Sequence, residues 1–265
     1  MTQIDTYIPS SFIAIFAHPD DIEFGCAGTL AKWIKAGARA RYVIVTSGDV
    51  GVARDGVAAE GMTRAKAAAI REAETTAAAH AIGVEDITFF REPDGMVVND
   101  IALRRRMVRE IRQFQPEVVV TADPTLLYTP RGGINHPDHR AVGGAALDAV
   151  FPASGQPNLF EELAGDGIHA HKVRKVYVVS WGEGDHLVDI SDTIEQKIEA
   201  LLKHESQVGH VEGLGDRIRE RGQERAGDSG LGYAECFRVL TIEGDETWTK
   251  LIAANPEQYK AAIAE

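Results

Sequence analysis

Two short motifs concentrate the residues that could do chemistry. Ala17-His18-Pro19-Asp20-Asp21 places an imidazole and two adjacent carboxylates directly after an apolar run, and His136-Pro137-Asp138-His139 places two imidazoles and a carboxylate beyond another. In a dinucleotide-binding chain the first turn is glycine-rich and offers bare N–H groups to a phosphate. Here the carboxylates would repel phosphate unless a cation intervened. His136 and His139 lie three residues apart at a helix start and so share one side of it, and a proline restricts the backbone in both motifs. If the motifs converge, three His and carboxylate ligands hold a divalent ion and leave a position open for water, the pattern of catalytic rather than structural zinc. Such an ion acidifies water and polarises a carbonyl, which makes hydrolysis the leading chemistry. The residues alone do not decide which of Asp20 and Asp21, or of His136 and His139, is the ligand. Helix capping would explain one Asp of the first motif, but not its His, Pro and second Asp.

These motifs need a scaffold that brings two strand ends together. Short apolar runs alternate with helical patterns along the chain, which predicts an α/β fold: a Rossmann-like three-layer sandwich with a mostly parallel sheet flanked by helices. Strands are expected at 12–17, Arg39–Thr46, 86–90 and Val118–Ala122, with weaker ones at 176–181 and 186–190. Helices are expected at 26–36, ended by Gly37, at 61–82, ended by Gly83, at 101–114, stopped by Pro116, and at 136–150. A last helix is expected at 191–204, with Ser191 or Asp192 as its cap. Both motifs then stand at strand carboxyl ends, where open α/β sheets bind ligands. Segments 151–172 and 205–232 read as long loops acting as lids, interaction surfaces or mobile segments. No composition shift divides the chain, so residues 1–265 read as one domain.

Forty acidic against twenty-eight basic residues give a net charge of −12 over 265 residues, which argues against nucleic acid as a partner. No apolar run reaches the roughly 18 to 20 residues that span a bilayer, and residues 1–10 lack the positive flank of a secretion signal. A cytoplasmic protein with no membrane partner is expected. Cys26 and Cys236 are too few for a disulfide framework, and Cys26 reads as a buried thiol. His80, His169, His171, His186 and His210 lack a matching partner and read as surface or core residues.

With these motifs the chain resembles the LmbE/PIG-L family of zinc-dependent N-deacetylases, whose fingerprint is H-P-D-D near the N-terminus and H-x-x-H in mid-chain. The likeness extends through Gly25, Gly28, Thr29 and Leu30, Arg71-x-x-Glu74, Pro93-Asp94-Gly95, Lys197-x-x-Ala200-Leu201-x-x-His204-x-Ser206-Gln207 and Tyr233 to Arg238, and so covers about residues 12–239. In one departure Ile22 follows the second Asp, and the acid usual there arrives one place later as Glu23. The resemblance implies one Zn2+ per chain held by His18, Asp21 and His139, with Asp20 as general base. It implies that His136 stabilises the oxyanion and protonates the leaving amine, and that Asp138 orients or charges His136. Arg71 and Asp94 match positions that contact sugar hydroxyls. For Arg71 the competing reading is a helix-surface ion pair with Glu74 or Asp55, and for Asp94 a turn residue. For His204 two readings stand, an approach to the site or to a neighbouring subunit and a helix-terminal histidine suited to the dipole, and it is left outside the main set. The branch most similar is that of the diacetylchitobiose and N-acetylglucosamine deacetylases, some of them hexamers, which implies a homo-oligomer and a small amino-sugar substrate. A zinc amidase acting on a thiol or amino-acid conjugate, a non-haem iron enzyme and a non-catalytic sugar- or metal-binding module are the alternatives.

Overall fold

Every residue of Ser11–Phe16 is buried, as a strand covered on both faces must be. The structure, a computed structural model, describes residues 2–51, 53–54, 57–58, 61–130, 132–181, 184–257 and 259. In chain order the elements are β1 Gln3–Asp5, β2 Ser11–Phe16, α1 Asp21–Gly25, α2 Ala27–Lys35, β3 Arg39–Thr46, a small hairpin of β4 Ala53–Arg54 and β5 Val57–Ala58, α3 Arg64–Ala81, β6 Ile87–Glu92, α4 Ile101–Phe114 and β7 Val118–Ala122. There follow α5 Pro137–Asp148, β8 Lys175–Val179, β9 His186–Asp189, α6 Ile194–Leu202, α7 Glu205–Val208, α8 Leu214–Ala226, β10 Ala234–Thr241 and α9 Asp245–Ala254.

One sheet has the order β1-β9-β10-β8-β7-β2-β3-β6. From β8 to β6 all neighbours are parallel, whereas β10 runs antiparallel to both β8 and β9. The chain winds outward from β2 in one direction through β3 and β6, and in the other through β7 and β8. The reversal lies between β2 and β7, the crevice where doubly wound sheets bind ligands. Alternation along β2 feeds two apolar layers: Phe12, Ala14 and Phe16 pack with Leu30, Trp33 and Leu201, while Ile13 and Ile15 pack with Met107, Ile111 and Val142. Among the described residues no helix is long and apolar enough to cross a membrane.

Some expected boundaries move for physical reasons. The helix expected at 26–36 is α2, Ala27–Lys35, and Cys26, with non-helical φ −149°, separates it from the short α1 that was not expected; the Cys26 thiol is buried, as expected. Neither Ser191 nor Asp192 caps α6. Thr193 precedes that helix, with its hydroxyl donating to the Gly28 carbonyl at 2.8 Å, while Ser191 binds the Asp189 carboxylate. The segment 205–232 is not a long loop, for it contains α7 and α8; α8 buries only Leu214, Ile218, Gly222 and Ala226 beneath charged neighbours, too sparse an apolar signal to read. Segment 151–172 is irregular but pinned. Arg112 reaches in from α4 and donates to the carbonyls of Ala153, Ser154, Gln156, Leu159 and Phe160 at 2.8 to 3.3 Å. β1, β10 and α9 were not expected at all.

His80, His169 and His210 are exposed, and His186 pairs with Asp185. His171 is a core residue, 1% exposed, whose Nε2–H donates to the Pro116 carbonyl at 2.7 Å. Burial lowers its pKa from 6.5 to about 4, against the upward pull of that bond. The unfolded chain therefore binds one more proton than the folded chain between those values, and stability present above pH 6.5 is lost as pH falls toward 4, by about 3 kcal/mol. Urea midpoints measured from pH 7 to pH 4 are expected to fall less for His171→Gln, which keeps a donor for Pro116. Equal acid sensitivity of the two proteins would show that His171 does not titrate this way.

Candidate metal centre

The two motifs meet at the crevice between β2 and β7. Where the chain leaves β2, the Ala17 carbonyl accepts from both the N–H and the hydroxyl of Thr46, at 2.8 and 3.0 Å, so β3 fixes the exit. The following turn closes when the His18 N–H donates to Asp21 Oδ2 at 2.8 Å. Asp20 has φ +90° in the left-handed region, a conformation that a non-glycine residue holds at a cost of order 1 to 3 kcal/mol and that clusters at functional sites. The second motif is set by how closely α5 approaches β7: a Cβ on Gly143 would stand 2.4 Å from the Ala122 carbonyl oxygen. His136 caps α5, its Nδ1 accepting the Asp138 N–H at 3.2 Å, and His139 falls in the first helical turn.

Hydrogen bonding fixes which nitrogen of each ring is free. His18 Nε2 faces Asp94 Oδ1 at 3.2 Å and Asp138 Oδ2 at 3.3 Å, and His139 Nδ1 faces Asn135 Oδ1 at 3.1 Å. These acceptors take an N–H from each ring, so in the neutral form that a metal ligand needs the lone pairs would lie on His18 Nδ1 and His139 Nε2. These two nitrogens lie 3.1 Å apart, with Asp21 Oδ1 3.1 Å from His139 Nε2 and Asp21 Oδ2 3.5 Å from His18 Nδ1. Three acceptors turned toward one point repel unless a cation lies among them. Ligands 2.0 to 2.2 Å from a tetrahedral ion stand about 3.3 Å apart, so this triangle fits such an ion. A second group, His18, Asp94, His136 and Asp138, also lies close enough to hold a metal. It uses the opposite nitrogen of His18, and Asp138, fully buried, already accepts from the Gly95 and Val97 N–H groups at 2.7 and 3.1 Å. That arrangement suits a carboxylate that orients a ligating imidazole.

The charges are one-sided. Burial works against protonated His18, but Asp138, Asp21 and Asp94 push its pKa up to about 12, so Nδ1 offers a lone pair only when a metal takes the place of its proton. Burial works against ionised Asp21, yet His139 and His18 hold its carboxyl well below the usual range. Asp20 is raised to about 6, first by burial and then by Asp21, against the pull of Arg71. A carboxylate in that range is still basic near neutral pH.

The remaining predicted residues are close by, with different partners from those expected. Arg71 is buried and forms no pair with Glu74, which instead accepts from the Ser206 N–H and hydroxyl at 2.7 Å; Asp55 lies outside the described residues. The guanidinium donates to Asp20 Oδ2 at 3.0 Å and to the Pro19 and Gly48 carbonyls at 2.6 and 3.1 Å. Gly48, at φ +60°, admits it, since a Cβ there would stand 2.1 Å from Nη1. Asp94 accepts the Val50 N–H at 3.1 Å as well as facing His18. Asp138 Oδ2 lies 4.0 Å from His136 Nδ1, and burial and His18 together outweigh its upward pull, so the His136 pKa is lowered. The expectation that Asp138 charges His136 is corrected accordingly. His204 is fully buried and its Nε2 meets Glu23 Oε2 at 3.1 Å. Its position at a helix end concealed this pairing, and the displaced acid Glu23 was the sequence signal for it.

Comparison with known proteins follows the same lines. The GlcNAc-PI de-N-acetylase (PIG-L) family pattern matches residues 13–150. The chain is 31% identical to a diacetylchitobiose deacetylase of Thermococcus kodakarensis, over 74% of this chain and 69% of the relative. It is 28% identical to a 1D-myo-inositol 2-acetamido-2-deoxy-alpha-D-glucopyranoside deacetylase of a Mycobacterium species, over 73% of each. The solved N,N'-diacetylchitobiose deacetylase of Pyrococcus horikoshii superposes with a TM-score of 0.78 at 27% identity, over 88% of this chain and 84% of that one.

Proposed function

Because the chain belongs to the PIG-L family of GlcNAc-PI de-N-acetylases, we propose that it removes the N-acetyl group from an N-acetylglucosamine-containing small substrate and releases acetate. The observation that carries the reading is the meeting of His18 Nδ1 and His139 Nε2 at 3.1 Å beside Asp21, with a further carboxylate, Asp20, held by Arg71, and a further imidazole, His136, against the His18 ring. The relatives share a glucosamine unit while their aglycones differ, which favours the amino sugar as the recognised part.

In this reading one zinc ion per chain is held by His18, Asp21 and His139. When bound there it would acidify a water molecule and polarise the acetamide carbonyl. Asp20 accepts the proton of the attacking water, and the Arg71 guanidinium on its Oδ2 fixes which oxygen is free to do so. His136, whose Nδ1 takes the Asp138 N–H, keeps its proton on Nε2 and hydrogen-bonds it to the carbonyl oxygen as charge develops; it then passes a proton to the departing nitrogen, replaced by the one Asp20 took from the water. Asp138 and Asp94 hold His18 by its Nε2–H. Arg71 and Asp94 supply a donor and an acceptor for sugar hydroxyls. The protein works as one α/β domain over residues 1–265 in a cytoplasmic homo-oligomer.

Incubation of the zinc-loaded protein with N-acetylglucosamine, diacetylchitobiose and glucosaminides linked to inositol or a thiol is expected to release acetate and a free amino sugar, identified by mass. Cleavage only at the amide of a thiol or amino-acid conjugate would support the amidase alternative instead, and a strict need for oxygen would support iron chemistry.

A further inference from the structure

A cavity of about 700 Å³ opens beside the metal centre, with His139 in its wall. It runs past Phe24 of α1 and over the end of β8 toward β9, β10 and α8, between Val179, Trp181, Leu187, Ile190 and Ile218. None of Asp20, Arg71 and Asp94 lines it. Of its charged wall residues, Lys197 and Glu235 are paired at 2.5 Å, and Glu235 also accepts the Gly28 and Thr29 N–H groups, so that carboxylate is committed to holding α2; Arg221, Glu224 and Arg225 line the α8 side, where Arg225 donates to the Ser180 carbonyl and Glu224 is exposed. The two substituents of an amide carbonyl carbon point away from each other. If the sugar on nitrogen lies toward Arg71 and Asp94, the acyl group lies toward this cavity. An acetyl methyl would leave nearly all of it empty, and sugar hydroxyls would lack partners along its aliphatic side.

We propose that this cavity is an acyl-chain site and that the enzyme hydrolyses N-acyl glucosamines with chains longer than acetyl. The inference rests on the deacetylase reading above and concerns the same reaction: water adds to the carbonyl carbon, the C–N bond breaks, and the products are a fatty carboxylate and the free amine. Its test is an acyl ladder of N-acetyl-, N-butyryl-, N-hexanoyl- and N-octanoylglucosamine, with free amine as the readout. Each added methylene that becomes buried is expected to lower KM about fourfold at similar kcat. Trp181→Ala, at the open end, and Ile218→Phe, which fills the interior, are expected to flatten the ladder while leaving the acetyl substrate unchanged. Acetyl cleavage with KM flat or rising along the ladder would overturn the acyl site alone. So would variants that alter acetyl and octanoyl substrates equally, or that impair diacetylchitobiose and spare the ladder. Amine release from none of these substrates would overturn this inference and the deacetylase reading together.

Discussion

Asp20→Asn is expected to lower kcat/KM for acetamide hydrolysis by about a hundredfold to ten-thousandfold, the range for loss of a positioned general base. The substitution preserves shape and an oxygen that can accept from Arg71 Nη2, now at 3.0 Å from the carboxylate. It removes only basicity, because an amide oxygen takes no proton near neutral pH. Bound zinc and the thermal unfolding midpoint should therefore stay close to those of the parent, and the deficit should fall on kcat rather than KM. A variant with full rate would remove Asp20 from the chemistry and leave the left-handed backbone there, φ +90°, without a functional reason.

Asp138→Ala is expected to damage both fold and metal site. This carboxylate is fully buried and serves three donors: the N–H groups of Gly95 and Val97, and Nε2–H of His18. Truncation takes the acceptor from the Gly95 and Val97 N–H groups, each worth about 1 to 3 kcal/mol where water does not replace it, and leaves the His18 Nε2–H to Asp94 alone. A loss of roughly 3 kcal/mol or more in urea unfolding is therefore expected. Freed from its oriented bond, the His18 ring should also bind zinc about ten- to a hundredfold more weakly, read by competition with a chelator. Asp138→Asn supplies the control, since it keeps the volume and one acceptor oxygen and should recover part of the stability. Unchanged stability together with unchanged zinc affinity in the alanine variant would contradict the bonding described here.

The parts of this protein that were legible in the sequence are those where local signals agree. Arg39–Thr46 and Val118–Ala122 are apolar runs of strand length, and their predicted bounds coincide with those of β3 and β7. Both chemical motifs could be placed at strand ends, since H-P-D is unusual in a turn and each copy follows such a run. What stayed hidden depends on distant partners. α8 has so few buried residues that its charges mask the helical period, and β10 is recognisable as a strand only through its antiparallel pairing with β8 and β9. The Arg71–Asp20 contact joins residues 51 apart, and His204–Glu23 residues 181 apart. Spacing along a chain carries no information about such pairs. Nor could spacing say which nitrogen of His18 is free; that follows from Asp94 and Asp138 taking the other.

The account turns on whether an ion at His18, Asp21 and His139 supports acetate release. The direct measurement is a zinc titration of metal-stripped protein, following acetate from diacetylchitobiose at each addition. The predicted result is activity rising linearly to a break at one zinc per chain, with no such break in His139→Ala. Zinc binding at one per chain with no acetate at any point, or full acetate release from the stripped protein, would contradict it.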